Sequence, residues 1–172
     1  MNPHATDPSA DAASTYLTAL RGRLTADGCA VTPQSWNGHP VVAAHRADRK
    51  ARWFGTKVEL FVLAAAVPEV DAAALGEFTG WAMGHVKGLR RGIPGARNAA
   101  FVLPALVSAR VRPEAARWAA EDARLLGTSL ISRPLTVETA PDAVRTTMYR
   151  GQVPLGGLFT RHVLGKAALY FP

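Results

Sequence analysis

Thiols are almost missing from this chain. Its single cysteine, Cys29, excludes an internal disulfide and any cysteine-built metal knuckle. Long apolar runs are missing too: the most hydrophobic stretch, Val58–Val67, falls well short of the ~20 residues that span a bilayer. The polar, acidic start, Met1–Ala13, lacks a basic segment followed by an apolar one. It therefore shows no secretory signal, and a cytoplasmic protein is expected, without membrane partners.

Familiar chemical motifs are equally scarce. There is no Gly-x-x-x-x-Gly-Lys-Ser/Thr loop and no Gly-x-Gly-x-x-Gly after a strand, so neither phosphate cradle is available. There is no His-Glu-x-x-His and no Gly-x-Ser-x-Gly elbow. His85 and His162 each stand alone on an expected helix, where a histidine is more often a packing residue than a ligand. No metal site and no cofactor are expected.

What is present fits one soluble domain. In 172 residues, 48% are hydrophobic and 19% charged, enough to bury a core and too apolar for disorder. The net charge of +7 comes with abundant arginine, alanine, glycine and proline. GC-rich coding alone produces that mixture, so it argues only weakly for a polyanionic partner. Residues 1–10, rich in proline, aspartate and small side chains, read as a disordered tail, and 11–172 as a single α+β domain.

The chain is organised around Cys29–Pro68, which reads as a three-stranded antiparallel meander. Asn37-Gly38 is a type I′ turn signal, because both residues tolerate the positive φ that turn demands. It sets Trp36 opposite His39, Gln34 opposite Val41 and Ala30 opposite His45. The polar stretch Ala47–Ala51 reads as the next loop. Pairing Arg46 with Arg52 across it sets His45 opposite Trp53 and His39 opposite Glu59. Alternation then gives a core face with Val31, Val42, Ala44, Phe54, Val58, Leu60 and Val62. The other face carries Thr32, Gln34, Trp36, His39, His45, Trp53, Lys57 and Glu59. Cys29 falls on the core side, as an inert thiol.

Around the meander, a helix is expected to Ala26, with Tyr16, Leu17, Leu20 and Leu24 on one face and Asp27-Gly28 ending it. A second helix spans Val70–Leu89, a buried strand Ala99–Val111, and a third helix runs from Pro113 to about Leu126. A hairpin of Leu130–Thr139 and Val144–Arg150 and a last helix, Leu158–Leu169, complete the chain. This order predicts an antiparallel meander plus a second hairpin in a mixed sheet of about six strands, packed by about four helices. Pro104 inside a strand predicts a bulge or an edge. In the second helix, Gly76, Gly80, Gly84 and Gly88 recur every fourth residue. They form a ridge without side chains that suits close approach of another helix or a second copy, by analogy with small-residue ridges in membranes. Lys87, Arg90, Arg91 and Arg97 gather around its C-terminus, which suits the helix dipole.

The polar meander face supports three functional readings. The first is a non-catalytic binding or assembly domain that presents a basic, aromatic surface to a polyanion such as single-stranded nucleic acid. Trp36 and Trp53 would stack bases, and His45, Arg49, Lys50 and Arg52 would hold phosphates. The second is a small enzyme, in which His39 is a base oriented by Glu59 and Lys57 steadies negative charge. Asp48 with Lys57 and Glu59 also has the composition of a nuclease-type metal group, but lysine precedes the acid here. The third is a self-associating structural protein, a homo-oligomer joined at the glycine ridge. A covering helix over the polar face would instead turn both tryptophans into core.

Overall fold

The computed structural model describes residues 8–90, 98–126, 130–153 and 157–172. Residues 1–7 of the expected tail, the 92–95 turn with Arg91 and Arg97, and Gly127 lie outside them. The first helix, α1, is Pro8–Ala26, so it begins within the segment expected to be disordered. The meander follows as β1 (Ala30–Trp36), β2 (His39–Arg49) and β3 (Lys57–Ala66). Next come α2 (Ala72–Leu89), β4 (Asn98–Ser108) and α3 (Pro113–Glu121). The chain closes with β5 (Arg124–Leu126), β6 (Leu130–Ser132), β7 (Leu135–Ala140), β8 (Ala143–Met148) and α4 (Gly157–Tyr170).

Among the described residues the strands form one mixed eight-stranded sheet, ordered β1-β2-β3-β4 and then splitting in two. The α+β class is as the sequence predicts, with more strands than the six expected. The lower half of β4 pairs in parallel with β6 and the upper half with β7, and these two carry the antiparallel partners β5 and β8. Pro104 sits where pairing passes from Val102↔Ser132 to Ala105↔Leu135. Val102 O accepts from Arg133 N at 2.9 Å, so Pro104, two residues on, turns its missing donor toward the same flank. A proline thus occupies a central strand at the one point where no ladder bond is required of it. The neighbouring side chain, Arg133, is fully buried there and donates to the carbonyls of Tyr149 and Gly151 at 3.0 and 2.9 Å.

Parallel pairing of β3 with β4 needs a crossover, and α2 supplies it on one face of the sheet. Leu75, Phe78 and Val86 of α2, with Ala115 and Ala119 of α3, pack there on Phe61, Leu63, Val102 and Leu106. On the opposite face, Leu20 and Leu24 of α1 and Val163 and Tyr170 of α4 pack on Ala44, Leu60, Val62 and Leu103. Helix α1 buries residues 13, 16, 20 and 24, the three- and four-residue spacing of a single helical face. Helix α2 starts at the side chain of Asp71, which accepts from Ala74 N at 2.7 Å as an N-cap. No described helix is long and apolar enough to cross a membrane.

Candidate functional site

The tight turn forms as its residues predict. Asn37 and Gly38 both have positive φ, 47° and 80°, and the pairs Trp36↔His39, Gln34↔Val41 and Ala30↔His45 follow. The second connection does not. Strand β2 continues to Arg49, a 3₁₀ turn covers Ala51–Trp53, and Phe54 and Gly55 reverse the chain at positive φ. His45 therefore faces Phe61 rather than Trp53, and Glu59 faces Ala47 rather than His39. His39 lies eight residues up the strand from Ala47, about 27 Å at ~3.4 Å per residue. The proposed His39–Glu59 pair is not brought together.

The shift moves residues along the strands by an even number and so leaves each on its expected face. Lys57, Glu59, His45, Thr32 and Gln34 still share one surface. Helix α2 lies over β4 and β6 on this side, and its last turns leave Thr32 of β1 exposed and His45 of β2 part-exposed. A groove of about 670 Å³ results, with β1, β2 and β3 as its floor and the last turns of α2 as one wall.

At the inner end of the groove an ion cluster surrounds Glu59. Lys57 Nζ lies 3.1 Å from one carboxylate oxygen, and Arg90, at the end of α2, places Nε 3.2 Å from the other. Arg90 also donates to Asn98 O at 3.4 Å, tying the helix end to β4. The Nε2 of His45 is 3.5 Å from Glu59, shielded from solvent and without a hydrogen bond. Its ring lies flat against Phe61, centroids 4.4 Å apart. Burial pushes the Glu59 carboxyl up, but Lys57 and Arg90 outweigh it and hold the acid below its ordinary range. It is an ionised anchor for two cations and a poor proton acceptor near neutral pH. Farther along α2, His85 stacks on Trp81 and Trp81 on Phe78. His45 and His85 both line this groove, and neither figured in the acid–base reading of the sequence. Their spacing carried no signal, because sheet register and helix placement alone bring them to one cleft.

The tryptophans are core. Trp36 is buried edge-on to Phe78 of α2, with His39 beside it at 6.0 Å. Trp53, only 1% exposed, lies on the far side of the sheet in the same cluster as Val58. There it meets Phe159 and His162 of α4 edge-on. Arg49, Lys50 and Arg52 remain exposed, and Lys50 and Arg52 sit 5.3 and 5.9 Å from the Trp53 ring centre. Phe54, placed in the core by alternation, is 82% exposed. Along the glycine ridge, a side chain at Gly76 would meet Trp118 of α3 at 4.0 Å, while Gly80, Gly84 and Gly88 face open space. Among the described residues, none comes within 4 Å of a side chain placed at those three.

Asp48 belongs to a second polar cluster on the α1–α4 face, so it does not join Glu59 and Lys57. It accepts two bonds from Arg46 and one from His162 Nε2 at 2.9 Å, while Lys50 Nζ lies 3.4 Å from His162 Nδ1. Burial lowers the His162 pKa, with Lys50 and Lys166 adding to it against the pull of Asp48. Asp27 there receives Arg46, Lys166 and Tyr170, and Cys29 Sγ is 3.4 Å from the Tyr170 hydroxyl. Asp27, just after α1, and Arg46 and Asp48 of β2 are thereby tied to His162, Lys166 and Tyr170 of α4, which makes the cluster a clamp between these segments. Among the described residues no group of three or more His, Cys, Asp or Glu side chains is placed to hold a metal ion. No family model, curated protein or solved structure matches this chain.

Proposed function

We propose that this chain is a non-catalytic binding module whose ligand site is the groove between the meander and the C-terminal half of α2. The observation that carries the reading is a cavity of about 670 Å³ with a part-buried ion cluster at one end and Phe61, Leu63 and Leu89 along it. That is the size and mixed lining of a small-molecule site. The charge of Glu59 is committed to Lys57 and Arg90, which makes it an anchor for cations rather than a proton acceptor and favours binding. The test is binding of neutral Nile red, followed by its fluorescence. Saturable one-to-one binding that is lost in Thr32→Trp supports the groove, since residue 32 is an exposed position on its floor. Equal binding by both proteins removes it.

A second reading keeps the basic surface as a site for a polyanion. It is favoured by Phe54, an exposed aromatic held at φ 50° beside exposed Arg49, Lys50 and Arg52. With both tryptophans buried, Phe54 is the residue left in this turn to stack on a base. Retention on heparin at low salt that disappears when Arg49, Lys50 and Arg52 are replaced by alanine supports this reading. Retention unchanged by that replacement discards it.

A further inference from the structure

We infer that the groove's ligand is a small organic anion, a carboxylate or phosphate monoester on an apolar body, with its charged head at Lys57 and Arg90. This rests on the binding-module reading above. Lys57 and Arg90 line the cavity, and Glu59 is the sole acid among its described lining residues. The two cations come from different elements, β3 and the end of α2, and converge on opposite oxygens of one carboxylate. An ionised Glu59 cancels one of these two charges, so the inner end of the groove stays net positive before either histidine is counted.

Donors are also in surplus there. A lysine ammonium carries three N–H donors, and Glu59 is the acceptor that the described residues place beside Lys57. A carboxylate or phosphate oxygen beside Lys57 takes up a donor that Glu59 leaves open. Glu59 meanwhile holds the two cations in place before the ligand arrives, so little side-chain freedom is lost on binding. A cationic ligand meets the same net positive charge and is repelled.

The rest of the groove sets the body. The flat His45–Phe61 stack and Leu63 form an apolar floor beyond the ion cluster, and Leu89, 63% exposed, stands at its rim. An exposed leucine beside a half-open cavity is what an apolar ligand body would cover. A volume of about 670 Å³ suits one small molecule rather than a polymer.

The test compares four probes that share one alkyl chain: octanoate, octyl phosphate, octan-1-ol and octylammonium. Binding to the full chain is measured by calorimetry at neutral pH. Either anion is expected to bind at least about tenfold tighter than the alcohol, with octylammonium weakest. The anion-to-alcohol ratio should fall toward about one in Lys57→Met and should also fall with added salt in the unaltered protein. The salt series keeps the proposal testable if Lys57→Met does not fold. The tighter of the two anions identifies the head group. Equal binding of octan-1-ol, or tighter binding of octylammonium, overturns the anion assignment while saturable Nile red binding leaves the module standing. Failure of all four probes and of Nile red overturns both.

Discussion

Replacing Glu59 by glutamine tests the ion cluster directly. The substitution keeps the shape of the side chain and removes the charge that Lys57 and Arg90 share. Losing one partner of a fully buried pair costs ~3–5 kcal/mol. Here the side chains of Lys57 and Arg90 are 26% and 20% exposed, so solvent screens part of the interaction and about 1–3 kcal/mol is expected. At ~2–4 °C per kcal/mol for a domain of this length, the melting temperature at pH 7 should drop by roughly 2–12 °C. The pH dependence has a definite sign. The folded-state pKa of Glu59 is depressed, so its contribution is complete above the unfolded value, about 4.3, and is lost as pH falls through the lower folded one. Melting curves of the two proteins should therefore differ at pH 7 and converge on acidification toward pH 3. An unchanged melting temperature at pH 7, or a gap that widens in acid, refutes the assignment of Glu59 as an ionised clamp. The same variant should bind octanoate more tightly, because both cations lose their internal counter-charge.

Trp53→Ala should cost about 3–5 kcal/mol in urea unfolding, as expected for emptying a buried aromatic site. Nile red affinity should not change, because Trp53 lies across the sheet from the groove. Burial lowers the His162 pKa, so the unfolded chain takes up its proton first, and the native state loses stability as pH falls below about 6.5. That component should be absent from the pH profile of His162→Gln, and a profile identical to the parent's would contradict the clamp. Gly80→Ala meets open space without backbone strain and should stabilise the chain by roughly 0.5–1 kcal/mol in chemical denaturation. If copies of the chain meet at the glycine ridge, Gly80→Leu should shift sedimentation to a smaller species, and an unchanged profile retires the ridge.

The first hairpin was legible to the residue, because Asn37-Gly38 admits few turns and the turn dictates the register. The next connection was not. A polar stretch such as Ala47–Ala51 looks like a loop, but β2 runs on to Arg49 and the reversal is made by Phe54 and Gly55 at positive φ. Phenylalanine is not a residue that advertises such a conformation. The slip spared the faces and scrambled the heights, so Lys57 and Glu59 were gathered correctly while His39 stood in for His45. Trp53 escaped alternation because it belongs to a 3₁₀ turn rather than a strand. Strand β5 went unseen where a helix was expected to reach Leu126. Helix α3 ends at Glu121, and Arg124–Leu126 pairs with β6 instead, a partnership between segments that no local pattern announces. His85 and Arg90 joined the site through the packing of α2 on the sheet, which depends on long-range contacts.

The glycines of α2 bear on how the groove opens. Gly84 and Gly88 lie within the same turns that carry His85, Val86 and Leu89, and each weakens its helix by ~0.8–1 kcal/mol relative to alanine. The opposite boundary is β3, hydrogen-bonded along both sides in the middle of the sheet. One wall of the groove is thus soft and the other stiff. In deuterium-uptake measurements the last two turns of α2 should exchange well before β3, and a bound guest should slow that exchange most at residues 84–89. Residence time in the groove would then follow the fraying of one helix end, and alanine at Gly84 or Gly88 should lengthen it.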